Sequence, residues 1–151
     1  MAVYQVVQMG DPVLKEKAKP IRNINDSVLR LLDNLRDTLY EYDGVGLAAP
    51  QIGISKRAIV IDTGEEYYEL INPEIIESEG EDKSIEGCLS IPQLSGMVKR
   101  SARVLVKGIN REGKELMIDA EGLLSRALQH EIDHLDGILF VDRAEWVARK
   151  E

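Results

Sequence analysis

The chain has two histidines, His130 and His134, and both fall in QHEIDH, residues 129–134. On a helix, residues four apart are displaced by about 40° and roughly 6 Å, so the two imidazoles share one face and can hold one divalent ion. Glu131, one step round, reaches a water on such an ion rather than the ion itself. The competing reading is two solvated histidines on a polar helix face, since HExxH also arises by chance. Two imidazoles are too few for a tight site, so the third ligand decides the class. A metzincin would need histidine at position 140, which is Phe140. A downstream glutamate could only be Glu145 or Glu151, with little chain left to position it. The remaining soft donor is Cys88, in SIEGCLSIPQ. A lone cysteine usually packs as a small hydrophobe. Beside an HExxH pair it becomes a candidate thiolate ligand.

These residues need elements to bring them together. Asn25, Asp26 and Ser27 offer N-cap oxygens to a helix whose Val28, Leu31, Leu32, Leu35 and Leu39 repeat at helical spacing, ending at Asp43-Gly44. DGVGLAAPQIG follows as a glycine-punctuated loop. Before that helix, residues 11–21 read as an irregular, proline-bounded entry segment. RAIVID, YYELINP, RVLVKGI and ELMIDA read as strands, separated by turns such as Asp62-Thr-Gly64 and Asn110-Arg-Glu-Gly113. A second helix is expected from Ala120 or Glu121 to Asp136-Gly137, burying Leu123, Leu124, Ala127, Leu128 and Ile132 and carrying the histidines. The tail, DRAEWVARKE, suggests a short amphipathic helix with Trp146 inward. Helix, strands, helix favours α+β with antiparallel sheet over alternating β/α.

Composition bounds the function. At 151 residues, 44% hydrophobic and 30% charged, the chain is expected to be one soluble domain spanning 1–151. A net charge of −8 argues against a broad nucleic-acid grip, which needs clustered Lys and Arg. The N-terminus lacks a signal-peptide pattern, and no membrane span is visible, so the cytoplasm is the expected compartment. A single cysteine excludes an internal disulfide and fits a reducing compartment.

Three segments, in order and at fitting separations, resemble the peptide deformylases: GVGLAAPQ at 44–51, EGCLS at 86–90 and QHEIDH at 129–134. The resemblance covers essentially the whole chain. It implies an α+β fold in which antiparallel β-sheets surround a central HExxH helix, with an N-terminal helix packed outside. It also implies hydrolysis of the N-formyl group from the formyl-methionine of nascent peptides, releasing formate.

Carried over by position, Cys88, His130 and His134 are the implied ligands of one divalent ion. Fe²⁺ is expected natively, with Zn²⁺, Ni²⁺ or Co²⁺ also fitting such a donor set. Glu131 is the implied general acid–base. The Gln51 side-chain amide and the Leu89 backbone N–H are the implied oxyanion donors. The resemblance also has Gly46 letting the backbone approach the substrate, Val45 lining the side-chain pocket, and Glu86 and Arg100 forming a supporting ion pair.

Leu123 and Ala127 precede His130 by seven and three positions and so lie near the ligand face. They suit either an apolar wall for a methionine side chain or ordinary core packing. Pro50 fixes its φ and stiffens the approach to Gln51. Ser95 stands where some members carry an arginine, which leaves contacts to the longer peptide open, as is a transient contact with the ribosome through the tail. Two other functions compete: a zinc peptidase sharing HExxH, disfavoured by Phe140 and EGCLS, and a noncatalytic protein with a structural Cys-His₂ metal. In the latter, Glu131 and Gln51 would have no task and the fourth coordination position would be closed.

Overall fold

The computed structural model describes residues 3–150. Helix α1 spans Asp26–Glu41, and the Asn25 side chain caps it by accepting from the Val28 N–H at 3.1 Å. Its buried stripe includes Val28, Leu31, Leu32, Leu35 and Leu39, as the period requires. The strands in chain order are β1 (Gly46–Ala48), β2 (Ala58–Asp62), β3 (Tyr67–Glu79), β4 (Asp82–Cys88), β5 (Ile91–Arg100), β6 (Arg103–Ile109), β7 (Glu115–Glu121) and β8 (Trp146–Arg149). Helix α2 spans Gly122–Leu135, and a single turn, α3, spans Phe140–Arg143.

All the strand pairings are antiparallel. One sheet has the order β1-β2-β3-β6-β7 and the other β4-β5-β8. Strand β2 shows why the larger sheet needs two helices. Its side chains alternate between faces, so Ile59 and Ile61 join the α2 core while Ala58 and Val60 join the α1 core. A strand covered on both faces is apolar almost throughout, as AIVI is.

Every residue of α2 from Leu124 to Leu135 is buried. Leu124, Ala127, Leu128, Ile132 and Leu135 pack on the five-stranded sheet. Residues of the smaller sheet and its flank, including Glu86, Cys88 and Arg100, contact the polar side of the helix. A polar helix face can be buried only if its groups find partners. That requirement shapes the site.

The observed elements correct several expectations. Ala120 and Glu121 finish β7, and Gly122, at φ +59°, makes the turn into α2. Leu123 is 53% exposed rather than buried. The glycine loop contains β1 and a 3-10 turn, Ala49–Ile52, with Pro50 in its first positions. The entry segment is irregular as expected, apart from a 3-10 turn at Pro12–Lys15 and a bridge between Lys19 and Lys56. The tail forms α3 and then β8 rather than a helix around Trp146, which is 46% exposed. So short a segment gains little as an isolated helix, whereas pairing with β5 satisfies both backbones.

Candidate active site

Three elements meet at the ligand candidates. Helix α2 presents His130 and His134 on one face, with ring centroids 5.0 Å apart. Strand β4 ends at Cys88, and its Sγ lies 3.3 Å from His134 Nε2. Donor atoms of Cys88, His130 and His134 all lie within 4.8 Å of one another. Donors around one tetrahedral ion stand roughly 3–4 Å apart, so the trio fits a shared cation with small adjustment.

His130 is oriented from behind. Its Nδ1 donates to Glu86 Oε1 at 3.0 Å, which leaves Nε2 as its free donor atom. Glu86 also accepts from Arg100 through Nε at 2.7 Å and Nη2 at 2.9 Å, and from Arg126 Nη1. Arg100 continues to Asp133 at 2.9 Å, and Arg143 Nε closes the far end on Asp133 at 2.6 Å. The Glu86–Arg100 pair implied by the resemblance is therefore present. Arg126, Asp133 and Arg143 were not anticipated. Arg126 lies four residues before His130, so helical spacing alone could have flagged it for the same face.

Charge follows from these contacts. Burial would raise the Glu86 pKa, but hydrogen bonds from His130 and Arg100 hold it well below the usual carboxylate range. Burial opposes charge on His130, yet Glu131, Cys88 and Glu86 lift its pKa to about 10; the same neighbours favour a metal cation. Burial, with nearby His130 and Arg100, pushes His134 well below its ordinary value and leaves it a neutral donor. Burial raises Glu131 to about 7, against the pull of His130 and Arg100. Glu131 Oε1 and His134 Nδ1 are buried with no hydrogen-bond partner among the described residues. An unpartnered buried carboxylate oxygen is costly unless a solvent or ligand group meets it.

These residues open onto a cavity of about 410 Å³. Val45, Gly46, Gln51, Leu89, Leu123 and Ala127, all singled out in the sequence, line it together with Cys88, His130 and Glu131. His134 lies deeper and is almost fully buried. Gln51 is locked in place: its Oε1 accepts from the Ala48 N–H at 3.0 Å, and Nε2 reaches Ser90 Oγ at 3.1 Å and Cys88 Sγ at 3.6 Å. Gly46 has a further steric role. A Cβ built there would stand 2.7 Å from Glu131 Oε2. Gln129, the first residue of the motif, pins α2 to Ser101 by accepting from its N–H and donating to its carbonyl.

The polypeptide deformylase family profile matches residues 3–150. The chain belongs to that family. It is 64% identical over 150 residues to a peptide deformylase of Carboxydothermus hydrogenoformans, covering 99% of each chain. It is 59% identical over 150 residues to the peptide deformylase of Desulfitobacterium hafniense, covering 99% of this chain and 100% of the relative. The crystal structure of peptide deformylase from Thermotoga maritima matches with a TM-score of 0.93 at 41% identity, covering 97% of this chain and 100% of the other. A mixed fold of helices and antiparallel sheet is thus the deformylase fold, as the resemblance implied.

Proposed function

We infer that the chain is a peptide deformylase, a hydrolase that removes the N-formyl group from the N-terminal formyl-methionine of newly synthesised polypeptides and releases formate. Family membership supports the reaction class. The observation that carries the mechanism is the meeting of Cys88, His130 and His134 donor atoms within 4.8 Å, at a cavity also lined by Glu131. We take residues 1–151 to act as one catalytic domain, because β2 contributes to the cores under both helices.

Cys88, His130 and His134 would hold one divalent cation. The fit rests on the donor chemistry and on the orphaned Glu131 oxygen beside them. Such an ion supplies Lewis acidity and makes hydroxide available near neutral pH. We assign Fe²⁺ as the native ion by resemblance; Zn²⁺, Ni²⁺ and Co²⁺ suit the same thiolate and imidazole set. Occupancy by iron would depend on supply, since Zn²⁺ binds such sites more tightly.

Each residue then has a task. Glu131, poised near neutrality, takes a proton from the attacking water and returns it to the departing amine nitrogen. Glu86 orients His130 and keeps Nε2 free. The Gln51 amide and the Leu89 N–H are assigned to the developing oxyanion; fixed donors of this kind are each worth about 10²–10³ in rate. Val45, Leu123 and Ala127 are assigned to the methionine side chain. The exposure of Leu123 at the cavity favours this over core packing.

A structural Cys-His₂ metal is the weaker reading. It gives no reason to bury the Glu131 carboxylate, with one oxygen unpartnered, against a cavity. The substrate pool would place the protein in the cytoplasm near ribosomes. No helix among the described residues is long and apolar enough to cross a membrane. The test is anaerobic protein loaded with Fe²⁺ or Ni²⁺ and offered formyl-Met-Ala-Ser beside acetyl-Met-Ala-Ser. Formate from the first, and no peptide-bond cleavage in either, is expected. Fully loaded protein that releases no formate would defeat the reading.

A further inference from the structure

Two long basic side chains line the cavity, those of Arg126 and Lys150, and they differ in what they already hold. Arg126 is committed: it donates to Glu86, to the Val98 carbonyl and to the Asp82 carbonyl. No carboxylate among the described residues forms an ion pair with Lys150, which is exposed.

Its backbone is nonetheless anchored. The Lys150 N–H donates to the Gln93 carbonyl at 2.9 Å, directly after β8 pairs Arg149 with Leu94 of β5. The lysine stem then crosses the β4–β5 hairpin to Gly87, the residue before Cys88. A Cβ built on Gly87 would meet Lys150 Nζ at 2.9 Å and Cε at 3.4 Å. The bare glycine thus leaves the strand face to the ammonium. Ile85, 59% exposed, and Pro92 line the cavity too.

An extended peptide advances about 3.3 Å per residue. With its formyl group at the buried donors and its first side chain against Val45, Leu123 and Ala127, a bound peptide would run its following residues out of the cavity that Lys150 also lines, beside Gly87 and next to Cys88. We propose that Lys150 is a specificity-determining residue that binds a carboxylate on the substrate peptide just downstream of the first residue. The carboxylate can be an acidic side chain or the free C-terminus of a short peptide. The proposal deepens the deformylase reading and rests on it.

Formate release is measured for four peptides at low ionic strength: formyl-Met-Ala-Asp-amide, formyl-Met-Ala-Ser-amide, formyl-Met-Ala-Lys-amide and formyl-Met-Ala-Ser as the free acid. Wild type, K150M and K150E are compared by the ratio of each kcat/KM to that of the neutral amide. The wild type should favor at least one of the two carboxylate-bearing peptides by about two- to fivefold, the scale of one exposed ion pair. The gain should lie in KM and shrink in 0.5 M NaCl, a concentration well above about 0.1 M, where screening already acts over roughly 10 Å. K150M should flatten the ranking and K150E should reverse it. A gain for the Asp peptide identifies an acidic side chain as the source, and a gain for the free acid alone identifies the C-terminus. Formate released with the same ranking in wild type and K150M overturns the role of Lys150 and leaves the deformylase reading intact. No formate from any peptide takes both down.

Discussion

The Glu131 carboxylate rests against the bare Cα of Gly46, so closely that a methyl group at Gly46 would stand 2.7 Å from Oε2 and 2.9 Å from Cγ. These are atoms of a buried side chain, and both contacts fall below 3.0 Å, so a methyl group cannot be accommodated without moving Glu131. Glycine at position 46 therefore seats the proposed base. G46A should lower kcat by about 10²-fold, approaching loss of the base itself. In an E131Q background the same substitution should cost much less, because the group it displaces has already lost its function. Steady-state kinetics on the double-mutant cycle checks this; additive losses would count against it.

E131Q is expected to keep its metal, measured by elemental analysis, while losing at least roughly 10²-fold in kcat. Near-normal turnover would remove Glu131 from proton transfer.

Much of this site was legible in the sequence, for a physical reason. His130, Glu131 and His134 lie within one helix at spacings of one and four from His130, and the α1 stripe repeats at 3.6, so local spacing carries both. Contacts between distant segments were harder. The β4–β5 hairpin escaped notice because β4 turns Glu86 and Cys88 inward where an ordinary strand turns apolar residues. The exposure of Leu123 was hidden too: its spacing suits a core stripe, and only the cavity beside it leaves it open. Asp133 of α2 and Arg143 of α3 join the network through a side-chain contact ten residues apart that no helical period announces.

Glu86 gathers Arg100, Arg126 and His130 in a buried cluster. Removing it takes the shared buried carboxylate from both guanidinium groups, leaving Arg100 with Asp133 and Arg126 with the Val98 and Asp82 carbonyls. E86A should destabilise the fold by about 3–5 kcal/mol, the cost of breaking a buried ion pair from one side. It should also weaken metal binding by about 10–100-fold through loss of the His130 orientation. Urea unfolding and competitive metal titration report the two effects separately. A variant as stable as wild type would show that the cluster contributes little.

Asp142 offers a pH test away from the proposed metal ligands. Its partial burial works to raise its pKa, but the Leu139 N–H and Lys15 outweigh this and hold it below the ordinary value of 3.8. A carboxyl whose folded pKa is depressed stabilises fully above its unfolded value and loses that contribution as pH falls through the folded one. D142N should therefore cost about 0.5–1 kcal/mol at pH 7, a modest figure because the side chain is 41% exposed. The gap between variant and wild type should narrow as the pH falls below the ordinary carboxylate value and close once the folded carboxyl is protonated. Thermal melts across pH 2–8, a range chosen to bracket the carboxylate values, check this; a constant gap would contradict it.

The central claim is that one thiolate and two imidazoles share a single cation. X-ray absorption spectroscopy on protein loaded with one equivalent of Zn²⁺ or Co²⁺ tests it directly, with C88S as the control. The account predicts one sulfur scatterer at about 2.3 Å and nitrogen scatterers at about 2.0–2.1 Å. In C88S the sulfur signal should vanish. A spectrum without sulfur in the wild type, or one unchanged in C88S, would contradict the assignment.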